Sequence, residues 1–163
     1  MDLLILRHGE AGRHSLSPGD SKRPLTSEGR QEIADLSNGL QSLKIKLDYI
    51  FTSPLLRAKQ TAEVVAKSLK YSGKIEELNS LKPEGSRLEF YASLSKLKRD
   101  SVVLVVGHEP YLSEMISEAI SQSGCRIRLK KAGLARIKVI SILPKIKGEL
   151  RWLLAPKHLN KIA

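Results

Sequence analysis

Short apolar runs alternate along the chain with longer amphipathic stretches. Residues 2–6 and 102–106 ("VVLVV") each read as a strand without a polar face, and each runs into a glycine and a histidine, in "RHG" and "GHEP". Strands of this kind belong in the middle of a parallel sheet covered on both sides. "LDYIFTS" at 47–53 is a third, alternating strand. Between them, apolar positions recur at helical spacing: Ile33, Leu36, Leu40 and Leu43; Leu55, Ala58, Ala62, Val65 and Leu69; Leu112, Met115, Ile116, Ala119 and Ile120. Each set predicts an amphipathic helix facing a core. Residues 86–98 predict a further helix, and 133–143 with 149–155 a closing pair of strands joined across Pro144 to Gly148. This order predicts an α/β fold, a three-layer α/β/α sandwich around a largely parallel sheet. The polar 12–24 stretch "GRHSLSPGDSKRP" predicts a surface loop directly after the first strand.

Composition narrows this picture. With 163 residues, 41% hydrophobic and 28% charged, the chain has the balance of an ordinary globular protein. No repeat or linker divides it, so a single domain over 1–163 is expected. Its 28 Lys and Arg against 17 Asp and Glu leave a net charge of +11, which attracts acidic proteins, phosphorylated ligands or nucleic acid. The basic residues in "RIRLKKAGLARIKV", "LPKIKG" and "APKHLNK" are not interleaved with aromatics, which disfavours a nucleic-acid partner that stacks bases. The single cysteine, Cys125, has no partner for an internal disulfide or a metal motif, and a reducing cytoplasm is expected. No basic leader precedes the first strand, and "VVLVV" is too short to cross a bilayer, so no membrane role is expected.

Ligands of an open parallel sheet gather beyond the carboxyl ends of its strands. "RHG" at 7–9, "TSPLLR" at 52–57 and "GHEP" at 107–110 all fall there. Ser53 is expected to cap the second helix with Pro54 at its first position, placing Arg57 one turn in, near the positive end of the helix dipole. Two histidines and two arginines, Arg7, His8, Arg57 and His108, then share one rim. Arginine grips phosphate oxygens in a planar fork. An unprotonated histidine can take a phosphoryl group covalently, and a second can stabilise its oxygens. Each piece alone has a plainer reading, as a strand-end cation, a core histidine or a solvated helix residue. Their joint occurrence after successive strands points to a phosphate site.

"LILRHGEA", "KRPLTSEGRQ" at 22–31, "TSPLLRAKQTAE" at 52–63 and "VVGHEP" at 105–110 together resemble the histidine phosphatase superfamily, the phosphoglycerate-mutase-like branch with the RHG motif, and most of all its short SixA-type phosphohistidine phosphatases. The resemblance implies a phosphoglycerate-mutase-like fold and a cofactor-independent phosphatase. It implies His8 as the phosphorylated nucleophile, with Arg7, Arg57 and His108 completing the catalytic pocket. Gly9 would bring the backbone close to the phosphate. Arg23 matches a position beside the pocket mouth, or else simply precedes Thr26, the expected cap of the first helix. Many relatives carry an acid between Arg57 and the second histidine that protonates an alkoxide. Here that slot holds Ser80, with Glu77 and Glu84 as nearby alternatives, each more typical of a surface residue, and Glu10, next to the RHG motif, as a further one. An imidazole leaving group can be protonated before it departs, so a dedicated acid matters less than for an alcohol ester, and a protein substrate suits an uncapped pocket; protein phosphohistidine is therefore the favoured substrate.

A phosphatase for small phosphate monoesters would need a working acid. A non-catalytic module binding phosphoprotein or RNA would have no use for two histidines, and a mutase would need a longer, capped chain. His14 and His158 are expected at the surface. The four histidines show no short ligand spacing, so neither a metal nor another cofactor is expected. Oligomeric state stays open.

Overall fold

The computed structural model describes residues 1–12 and 19–159. His14 lies outside them. Six strands form one sheet: β1 (Asp2–Arg7), β2 (Tyr49–Thr52), β3 (Ile75–Glu77), β4 (Val102–Gly107), β5 (Leu134–Ser141) and β6 (Lys147–Leu154). Their spatial order is β3-β2-β4-β1-β5-β6. The β3–β2, β2–β4 and β4–β1 pairs are parallel, whereas β5 joins β1 and β6 joins β5 in antiparallel fashion.

The two central strands explain the layering. Leu3 and Ile5 of β1, with Val103 and Val105 of β4, enter one core, and Leu4 and Leu6, with Leu104 and Val106, enter the other. A strand turns successive side chains to opposite faces, so an uninterrupted apolar run needs a helical layer on each side. On one face, α1 (Ser27–Ser42) contributes Ile33, Leu36 and Leu40, and α2 (Leu56–Ser68) contributes Ala58, Ala62 and Val65. On the other, α3 (Arg87–Leu94) contributes Phe90, Tyr91 and Leu94, and α4 (Tyr111–Ile120) contributes Leu112, Met115 and Ile116. The three-layer α/β/α arrangement follows. A short α5 (Pro156–Leu159) ends the described chain, with His158 exposed as expected.

Several boundaries differ from the sequence reading. The 86–98 helix stops at Leu94, and Leu43, expected on a core face, is the half-exposed C-cap of α1. The short edge strand β3 was not anticipated; its three residues carry too little periodicity to stand out. Ser53 does not cap α2: Leu55 is the N-cap, Pro54 precedes it, and the Ser53 hydroxyl instead accepts the Leu55 N–H at 3.3 Å. Arg57 is consequently the second residue of the helix, not one turn in. Thr26 does cap α1, its hydroxyl accepting the Gly29 N–H at 3.0 Å.

Candidate active site

Register brings the histidines together. Arg7 of β1 lies opposite Gly107 of β4 in the parallel ladder, so the next residue of each strand, His8 and His108, emerges at the same edge. Their ring centroids are 5.1 Å apart. Further backbone bonds fasten His8: its N–H donates to the Gly107 carbonyl at 3.2 Å, and its carbonyl accepts the Ala132 N–H at 3.1 Å.

The His8 ring is also held. Nδ1 lies 2.7 Å from the Gly9 carbonyl, an acceptor only, so Nδ1 carries the proton. Nε2 receives a hydrogen bond from Arg57 Nε at 3.2 Å. The two contacts define one tautomer, in which Nε2 presents a lone pair beside a guanidinium. Burial lowers the His8 pKa to about 4, with Arg57 and Arg7 adding to the effect while the Gly9 bond opposes it. Burial likewise lowers His108 to about 3, helped by His8 and Arg57. Both imidazoles are therefore neutral near pH 7.

Arg57 reaches the site from α2. Thr61, one turn on, donates to the Arg57 carbonyl at 2.7 Å and accepts the Gly9 N–H at 3.2 Å, tying the helix to the segment after β1. That segment also meets α1 closely: a Cβ on Gly9 would stand 2.8 Å from the Gly29 carbonyl oxygen. Arg7 lies at the end of β1, its Nη1 donating to the Leu129 carbonyl at 2.9 Å. Among the described residues, Arg7 Nε and both ring nitrogens of His108 are buried without a partner. A buried polar atom left unpaired is costly, and three beside one another mark a place suited to a ligand rich in acceptor oxygens.

Arg23 joins the group through a residue the sequence reading passed over. Asp20 Oδ1 accepts from Arg23 Nε at 2.8 Å and Nη2 at 2.7 Å, while its Oδ2 accepts from Arg57 Nη2 at 3.0 Å. Asp20 and Arg23 are three residues apart across a single 3-10 turn, Asp20–Lys22, and the "DSKR" spacing is the signal that would have revealed the pair. Thr61, on the same helix face as Arg57 by its four-residue spacing, was also missed.

The acid alternatives are exposed or engaged by lysines. Glu77 is exposed and paired with Lys59 at 2.7 Å, Glu84 is exposed, and Glu10 is paired with Lys131 at 2.6 Å. Ser80 is buried in a 3-10 turn, Asn79–Leu81. Among the described residues, no three His, Cys, Asp or Glu side chains gather as a metal-holding group, and no helix is long and apolar enough to cross a membrane.

The chain matches the family model of the histidine phosphatase superfamily (branch 1) over residues 3–83. It is 36% identical to the phosphohistidine phosphatase SixA of Escherichia coli over 120 residues, which cover 72% of this chain and 73% of that protein. It is equally identical, at 36% over 165 residues, to an uncharacterized Picosynechococcus protein, covering 98% and 99% of the two chains. Among solved structures, the protein histidine phosphatase SixA complexed with tungstate superposes with a TM-score of 0.86 at 28% identity, covering 98% of this chain and 99% of that one. On the family-model match, the 36% identity to SixA over 72% of this chain and the superposition of its fold, the chain belongs to the histidine phosphatase superfamily.

Proposed function

We propose that the protein is a cofactor-independent phosphohistidine phosphatase of SixA type, acting on phosphohistidine in a protein through a covalent intermediate on His8. The observation that carries this reading is the lone pair of His8 Nε2, fixed by two hydrogen bonds beside unpaired buried donors on Arg7 and His108. A phosphoryl dianion supplies the acceptor oxygens that the unpaired donors of this cluster lack. The similarity to SixA, whose solved complex holds tungstate, a tetrahedral oxyanion, supports the same reading.

In the first step His8 Nε2 attacks phosphorus. A P–N bond forms to His8 as the P–N bond to the substrate imidazole breaks, and that imidazole departs after taking a proton from solvent. In the second step water attacks phosphorus, the P–N bond to His8 breaks, and orthophosphate leaves with His8 regenerated. Arg7 and Arg57 orient the phosphoryl oxygens, and His108 donates to one of them, its pKa rising as the dianion arrives. Gly9 lets the nucleophile segment lie close against α1, and Arg23 borders the mouth. Glu77 and Glu10 are engaged by lysines and Glu84 is exposed to solvent, which suits a leaving group that solvent can protonate and disfavours alkyl phosphate esters. Exposed Cys125 fits a reducing compartment, and we read the enzyme as cytoplasmic.

Phosphorylated histidine phosphotransfer domains incubated with the enzyme should release orthophosphate. His8→Ala should lower that rate by roughly 10³-fold or more. A rapid base quench of wild type should place acid-labile phosphate on His8. Undiminished turnover by the variant, or label on another residue, would overturn the proposal.

A further inference from the structure

The anion site already has an occupant made of protein. Every nitrogen of Arg57 is engaged: Nε on His8, Nη1 on the Asp20 carbonyl at 2.8 Å, and Nη2 on the Asp20 carboxylate. Arg23 directs Nε and Nη2 to the same carboxylate and its remaining nitrogen to the Gly12 carbonyl at 3.3 Å. Burial opposes ionisation of Asp20, but Arg57 and Arg23 together outweigh it and hold the carboxyl below its ordinary range. Asp20 thus presents an ionised, two-oxygen anion to the arginines that a phosphoryl group needs.

We propose that Asp20 is a built-in competitor for the phosphoryl site: its carboxylate occupies Arg57 and Arg23 when the site is free, yields them to the substrate phosphoryl group, and returns as orthophosphate leaves. The inference rests on the phosphate-site reading above and assigns the residue that sets the affinity of that site. Two anions cannot share Arg57 without repulsion, so a phosphoryl dianion must displace the carboxylate. The geometry permits this with one side chain moving. The Asp20 side chain is 44% exposed whereas that of Arg57 is 5% exposed, so the anion has water to turn into while the guanidinium stays put. The separate bond from Arg57 Nη1 to the Asp20 main-chain carbonyl survives such a turn and keeps the guanidinium aimed.

The result is selectivity by cost. A small oxyanion offers only its own contacts against those of the carboxylate, and binds weakly. A phosphohistidine in a protein adds contacts from its surroundings, and these favour displacement. Product orthophosphate, stripped of them, is expelled by the returning carboxylate.

Calorimetric titration of the full chain with orthophosphate and with tungstate tests this in wild type, Asp20→Asn and Asp20→Ala. Asp20→Asn keeps the side chain's size and removes its charge, and thermal melts verify that both variants fold. Oxyanion Kd should tighten roughly five- to tenfold in both variants, a gain matched to one partly exposed ion pair. The orthophosphate inhibition constant during turnover should fall by the same factor. Oxyanion binding that is equal or weaker in the variants would overturn the inference alone, making Asp20 a brace for the arginines. No oxyanion binding in any of the three proteins would remove the phosphate-site reading as well.

Discussion

Which His8 nitrogen carries the lone pair is decided by two neighbours, the Gly9 carbonyl and the Arg57 Nε–H. The motif "RHG" names the residues, but this choice depends on how the backbone turns after β1, and tripeptide text does not contain it. Asp20 was hidden for a related reason: its partner Arg57 is 37 residues away, and only the fold brings them together. Burial of two neutral imidazoles has a consequence for stability. Their folded pKa values, about 4 for His8 and about 3 for His108, lie below the ordinary 6.5. The unfolded chain therefore takes up protons that the native state refuses as pH falls. Their contribution is complete above about pH 6.5 and is lost toward pH 4 and below. Urea unfolding between about pH 6.5 and 4.5 should show wild type losing about 1–2 kcal/mol more than His108→Asn. Parallel pH profiles would show that His108 does not titrate on unfolding.

At the level of elements, most of the site's scaffold was legible because its signals are local. The apolar runs of β1 and β4 and the helical periodicities of α1, α2 and α4 each declare a face that must be covered. Helix ends were harder. Ser53 had the chemistry of a cap, yet the chain bends through Pro54 and Leu55, the actual N-cap, before α2 begins. The packing of α1 on the segment after β1 could not be read either, since it depends on glycines twenty residues apart. A Cβ on Gly29 would overlap the Glu10 carbonyl oxygen and stand 2.7 Å from the Glu10 nitrogen. Both are backbone atoms, which cannot rotate aside. Gly29→Ala should destabilise the protein by about 1–3 kcal/mol. It should also lower kcat by shifting Gly9 and the ring of His8. Unchanged denaturant midpoints would mean that α1 is free to retreat.

For the molecule as a whole, the sequence order strand, helix, strand predicts the layers but not which strands are neighbours. The closing pair β5 and β6 was expected from the sequence, but nothing in the text says that β4 inserts between β1 and β2, nor that β5 pairs with β1. The net charge of +11, by contrast, is visible from composition alone. A field of that sign speeds encounter with an acidic phosphoprotein and is screened by salt. Between about 0.05 and 0.3 M salt, kcat/KM on an acidic phosphotransfer domain should fall by about tenfold, while kcat/KM on a small phosphoramidate changes by less than about twofold. Equal salt dependence for both substrates would show that the basic surface plays no part in docking.

Strand order also has a consequence in time. β1 and β2 share no ladder of their own, each bonding to β4 instead. A nascent polypeptide leaving the ribosome thus displays His8, just past β1, and Arg57, in the helix after β2, well before the wedge that unites β1 and β2 has been translated. Until residues 102–107 slide between them, the two halves of the sheet have no common hydrogen-bonded partner, and His108 has yet to be delivered. Chemistry is withheld from the growing chain by the sequence of its own manufacture.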